Sequence, residues 1–103
     1  MKIVAVTACT AGIAHTYIVA EKIQNAAVEA GHSCKVETQG TIGVQNELTT
    51  QEIAEADVVI YAHDIAVRGQ ERFAGKKIVD IPISVAMKNP KSLIATIEKK
   101  LGK

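Results

Sequence analysis

The segment Lys2–Thr7 (KIVAVT) is apolar and β-branched at successive positions after Lys2, so it has no face to give to water. A strand of that kind needs cover on both faces, the condition of a central strand in a parallel sheet. A small-residue turn, Ala8–Gly12, follows, and then a helical pattern over about Ile13 to Ala30. Its apolar positions Ile13, Tyr17, Ala20, Ile23, Ala27 and Ala30 recur at threes and fours, and Gly31 is a natural stop. A buried strand feeding an amphipathic helix through a tight turn sets the plan for the rest of the chain.

Ser33–Thr38 (SCKVET) alternates, with Cys34, Val36 and Thr38 on one face and Lys35 and Glu37 on the other. It reads as an edge strand with one wet face. Gln39–Gly43 (QGTIG) reads as a glycine-punctuated loop. Thr49 caps a short helix near Thr50–Ala56, and Glu52, three residues on, completes the capping-box spacing. Asp57–Ala62 (DVVIYA) is a third strand, buried on both faces, and Arg68–Gly75 is a polar segment with room for one helical turn. Lys77–Ile81 is a fourth strand ended by Pro82. Asn89–Pro90 starts a last helix over about Pro90–Leu101, with Leu93, Ile94, Ile97 and Leu101 toward the core. The order β-α-β-α-β-α-β-α implies an α/β chain: a parallel sheet of four strands with helices on both faces, in three layers.

The 103 residues, without repeats, linkers or low-complexity tracts, are expected to form one domain, 1–103. A net charge of +1 with scattered basic residues argues against a nucleic-acid surface, and three aromatics argue against base stacking. No apolar run approaches the roughly 20 residues that cross a bilayer. No basic n-region precedes the first strand, so a cytosolic chain is expected. Cys9 and Cys34 are poor disulfide partners in that compartment. On neighbouring parallel strands they would lie about 15 Å apart, at roughly 3.3 Å per residue, whereas a disulfide needs Cα atoms within about 7 Å.

In open parallel sheets a ligand sits beyond the carboxyl ends of the strands, where strand order reverses, and the first strand usually borders that point. Here that end is Thr7-Ala8-Cys9-Thr10-Ala11-Gly12, followed by a helix whose free N–H groups and dipole favour an anion. The same field stabilises a thiolate, which makes Cys9 a candidate nucleophile toward a phosphorus atom held in its own loop. A buried, inert cysteine is the alternative. His15 and Thr16 fall in the first helical turn and can donate to a phosphoryl group or to the sulfur; a solvated histidine and an ordinary helix-start threonine are the other readings. The Gln39–Gly43 loop opens on the same side, as docking rim, phosphate flank or simple turn. Asp64 either orients the loop through a backbone bond or is an exposed turn residue. Arg68 and Arg72 pair with an acidic partner surface or phosphate, or lie on a solvated face. His32 and His63 lack the clustered carboxylates or thiols of a metal site.

The run Thr7-Ala8-Cys9-Thr10-Ala11-Gly12-Ile13-Ala14-His15-Thr16-Tyr17 resembles the active-site loop of fructose-type IIB components of the bacterial phosphoenolpyruvate-dependent sugar phosphotransferase system, whose pattern is close to TACPTGIAHT. The resemblance continues through Val36-Glu37-Thr38-Gln39-Gly40, Gly43, Asn46-Glu47-Leu48-Thr49, Ala56-Asp57 and Arg72-Phe73-Ala74-Gly75-Lys76, nearly the whole chain. It implies a Rossmann-like sheet of four parallel strands in the order 2-1-3-4. It implies that Cys9 takes a phosphoryl group from a phosphohistidine on a IIA component, forming a phosphocysteine. The group then passes to a sugar, fructose or fructose-like, bound by a membrane IIC component. The phosphoryl group would be held by Thr10, Ala11, Gly12, Ile13, Ala14, His15 and Thr16, with Gln39, Gly40, Asp64, Arg68 and Arg72 as the docking rim. No metal, nucleotide or other cofactor is implied, and the chain would be cytoplasmic, peripheral to the inner membrane through IIC. Two positions depart from the pattern: Thr10 stands for the proline, restoring an N–H, and Ala11 for the threonine, removing a hydroxyl.

Other functions share parts of this pattern. A small cysteine phosphatase carries C-x5-R, but here Cys9 is followed at that spacing by His15, so the two-point arginine clamp is missing, as is an Asp-Pro general acid. A non-catalytic regulatory domain of the same fold would bind a phosphorylated partner without taking up its phosphoryl group.

Overall fold

β1 (Lys2–Ala8) is buried from Ile3 to Ala8, as its two-faced apolar sequence requires. A computed structural model describes residues 2–8, 13–40, 43–67 and 69–101, with residues 13–16 described by their backbone. After β1 come α1 (Ile13–Glu29), β2 (Ser33–Gly40), β3 (Gly43–Gln45), α2 (Thr50–Glu55), β4 (Val58–His63), a 3-10 turn (Gln70–Phe73), β5 (Ile78–Ile81), α3 (Ile83–Lys88) and α4 (Pro90–Leu101). The sheet order is β3-β2-β1-β4-β5. β2, β1, β4 and β5 are parallel, in the arrangement expected for four strands.

The expectation of four parallel strands needs one correction: β3 is a fifth, antiparallel strand, and the sheet is mixed. Gly40 pairs with Gly43, Gln39 with Val44 and Thr38 with Gln45, so the glycine-rich segment is the corner of a hairpin. Gly43 has φ +113°, a conformation open to glycine, where the returning strand begins. Three residues are too few to show a strand's period, so the sequence pattern could not reveal β3.

That hairpin flanks β2, which is therefore not the outer strand, and Glu37 is fully buried rather than on a wet face. α3 was likewise unmarked in the sequence. It is six residues long, has no side-chain cap, and buries Ile83 and Ala86 one turn apart.

Two cores sandwich the sheet. On one face Ile3, Ala5, Val36, Val58 and Ile60 pack against Val19, Ile23 and Ala27 of α1 and Leu93, Ile94 and Ile97 of α4. On the other, Val4, Val6, Ala8, Val59 and Tyr61 meet Leu48, Ile53, Val67 and Phe73. The buried stripe of α1 runs through Val19, Ile23, Ala26 and Ala27, so Tyr17, expected inward, is 38 % exposed. α1 ends in a Schellman motif: Gly31 N–H donates to Val28 C=O and His32 N–H to Ala27 C=O, with Gly31 at φ +86°. α2 starts with the expected capping box, in which Glu52 N–H donates to Thr49 Oγ1 at 3.1 Å and Thr49 N–H to Glu52 Oε1 at 2.9 Å.

Candidate functional site

Strand order reverses at β1, since the chain steps to β2 on one side and to β4 on the other. The crevice beyond the carboxyl end of β1 is thus the switch point where open sheets bind ligands. Ala8, fully buried, closes the strand between Gln39 of β2 and His63 of β4. The N–H of Asp64 donates to the carbonyl of Ala8 at 2.9 Å, tying the strand end to the turn after β4. Five residues after Ala8 α1 begins, 17 residues long, and its first N–H groups, which have no acceptor within the helix, lie toward this edge.

Of the residues singled out by sequence, Cys9, Thr10, Ala11, Gly12 and Arg68 lie outside the described residues. Ile13, Ala14, His15 and Thr16 form the first turn of α1, described by backbone alone. Gly40 ends β2, and Asp64 is exposed in the turn after β4. Gln39 and Arg72 turn inward.

These two meet at Glu37. The Arg72 guanidinium donates from Nη1 to Glu37 Oε1 at 2.9 Å and from Nη2 to Oε2 at 3.0 Å. Gln39 Nε2 donates to Glu37 Oε2 at 2.7 Å, and Leu48 N–H donates to Oε1 at 3.0 Å. Burial opposes ionisation of Glu37, but Arg72, Gln39 and the Leu48 N–H outweigh it and hold the carboxyl below the usual carboxylate range. Arg72 is completed by a bond from Nε to Gly69 C=O at 2.9 Å and lies over the Phe73 ring, 5.0 Å from its centroid. Gln39 is 1 % exposed. Its amide is oriented because a carboxylate accepts only from the NH2 side.

Both ring nitrogens of His63 face acceptors. Nδ1 lies 2.7 Å from the Ile65 carbonyl and Nε2 lies 2.8 Å from Asp80 Oδ1. Burial works against the charged ring, but these acceptors and the nearby Asp64 prevail and raise its pKa above the ordinary value. The residues that sequence reasoning missed at this edge, Glu37, His63 and Asp80, share one face of the sheet with Gln39 and Tyr61. The signal for Glu37 was the acid–amide pair at spacing two where the strand meets its glycine corner.

At the rim Tyr17 of α1 donates its hydroxyl to the Gln45 side chain, joining the helix start to the hairpin, and Val44 is 40 % exposed beside it. Cys34 sits opposite Ile3, toward the far end of β1 from Ala8. Burial pushes its thiol up to about 12, so it is a poor nucleophile near neutral pH. Among the described residues no helix is long and apolar enough to cross a membrane.

Residues 4–96 match the family described as "PTS system, Lactose/Cellobiose specific IIB subunit". Among curated relatives, the "PTS system fructose-like EIIB component 2" of Escherichia coli (strain K12) is 50% identical over 101 residues, 98% of this chain and 95% of that protein. The "Fructose-like PTS system EIIBC component" of the same organism is 54% identical over 91 residues, 86% of this chain and 19% of the longer protein. Among solved structures, that of the Enzyme IIB subunit of the PTS system from Escherichia coli K12 superposes with a TM-score of 0.93 at 40% identity, covering 98% of this chain and 94% of that one.

Proposed function

Because the chain belongs to the IIB family of the sugar phosphotransferase system, we propose that it is the phosphoryl carrier of a fructose-like system and that Cys9 is the carrying residue. The cycle has two displacements. The Cys9 thiolate attacks the phosphorus of a phosphohistidine on a IIA component: the S–P bond forms, the P–N bond breaks, and the imidazole nitrogen keeps the electron pair and is protonated by solvent. A sugar hydroxyl on the membrane IIC component then attacks the phosphocysteine: the O–P bond forms, the S–P bond breaks, the thiolate leaves, and the hydroxyl proton passes to solvent. Backbone N–H groups of Thr10 to Thr16 and the dipole of α1 bind the phosphoryl oxygens, with His15 and Thr16 as side-chain donors.

One observation carries this reading. Cys9 directly follows the buried end of β1 at the strand-order reversal, four residues before a 17-residue helix begins. That geometry favours both a thiolate and the anion it attacks. The IIC partner is inferred from the relative whose name joins B and C components. It implies a cytoplasmic chain working at the membrane surface, with Asp64, Arg68, Tyr17 and Val44 around the docking face.

The test is phosphorylation with phosphoenolpyruvate, the general phosphotransferase proteins and a fructose-type IIA, read by intact mass. One phosphoryl group is expected on the wild type and none on Cys9→Ser. Equal labelling of Cys9→Ser sinks the assignment.

A further inference from the structure

Thr7 is the polar side chain within the buried stretch Ile3–Ala8 of β1. It is 0% exposed, and among the described residues its Oγ1 has no hydrogen-bond partner. Alternation along the strand puts it on the face of Ile3 and Ala5, the face that α1 covers. It is the last position on that face before the strand ends, at the edge toward which the N-terminus of α1 points. An unpaired hydroxyl in the interior is unfavourable, and a valine of nearly the same shape would avoid the loss. A chain that keeps threonine there therefore forgoes stability in the unphosphorylated state.

We propose that Thr7 is a phosphoryl-binding residue, its buried hydroxyl kept for the anion that arrives at the junction of β1 and α1. In the phosphorylated protein the Thr7 O–H donates to a phosphoryl oxygen on Cys9, from the strand side, while the helix N-terminus donates from the other. This rests on Cys9 being the carrier. It supplies a hydroxyl to a loop in which Ala11 offers none. Tyr61 provides the contrast. Its hydroxyl is also buried and unpartnered among the described residues. It lies on the opposite face of the sheet, where its ring meets Phe73 edge-on at 5.5 Å, and it has no part in the proposal.

The experiment compares wild type, Thr7→Val, Thr7→Ser and Tyr61→Phe for the fraction phosphorylated at equilibrium with a phosphorylated fructose-type IIA, and for melting temperature. Thr7→Val is expected to melt higher, by about 4 °C, and to lower the transfer equilibrium constant about tenfold, the scale of one hydrogen bond to a charged group. Thr7→Ser, which keeps the hydroxyl, restores the equilibrium, and Tyr61→Phe leaves it unchanged. Thr7→Val that is phosphorylated like wild type overturns the proposal, as does Thr7→Ser as impaired as Thr7→Val. A wild type that takes no label overturns both this and the carrier reading; a labelled wild type beside an unaffected Thr7→Val overturns this one alone.

Discussion

Arg72 grips Glu37 through two parallel hydrogen bonds of 2.9 and 3.0 Å, although 35 residues separate them in the chain. The pair fastens the 3-10 turn to the middle of β2 and, through Gln39, reaches the residue beside the end of β1. Both oxygens of a fully buried carboxylate are satisfied, by Arg72 together with Gln39 and the Leu48 N–H. This is the condition under which a buried charge is tolerated.

Removing one partner leaves the other charge stranded. Arg72→Met is expected to cost about 3–5 kcal/mol in urea unfolding, because Glu37 is then buried without its counter-charge. Arg72→Lys should cost less but lose the two-point geometry. The folded pKa of Glu37 is depressed, so its contribution is fully present above the unfolded carboxylate pKa and is lost as pH falls through the folded value. Unfolding measured across the acid range should show this slope in wild type and a shallower one in Glu37→Gln. Identical slopes would contradict the account.

Gly69 holds the start of the 3-10 turn at φ +70°. A Cβ there would approach Arg72 Nε to 2.6 Å, and that nitrogen is fixed by the ion pair and by its bond to the Gly69 carbonyl. Gly69→Ala is expected to destabilise the fold by at least about 1 kcal/mol, from left-handed backbone strain alone. Combined with Arg72→Met the two losses should be less than additive, since the clash disappears with the guanidinium. Full additivity in a double-mutant cycle would show that the crowding is not the cause.

His63 lies between two acceptors and bonds both when its ring carries two protons. An NMR titration should place its pKa above the ordinary histidine value of ~6.5, and Asp80→Asn should lower it. Because the folded pKa is raised, the stabilisation is fully present below the unfolded pKa and fades as pH rises through the folded one. An Asp80→Asn variant that titrates like wild type would remove Asp80 as a cause.

Periodicity, caps and breakers made most of the fold legible. The apolar run of β1, the Thr49–Glu52 box, Gly31 and Pro90 each act within one or two turns of chain, so they could be read in place. β3 and α3 were illegible because three and six residues carry too little pattern. In the candidate site the cysteine and the helix start could be seen in the sequence. The inward turn of Gln39 and Arg72 could not, since each is set by a partner on another element or on the buried face.

The sequence alone determined that β1 is a central strand, that a helix follows it a few residues on, and that Cys9 falls between the two in the chain, because local sterics and hydrophobic period are properties of neighbouring residues. The tertiary structure decided the charge and burial at the carboxyl end of the sheet. Glu37 alternates like a surface residue and becomes a fully buried acid of the sheet because Arg72 of the 3-10 turn, Gln39 and the Leu48 N–H close around it. His63 gains its second acceptor from β5. Those contacts join residues far apart in the chain, and their energies come from desolvation and charge pairing that exist after the elements have packed.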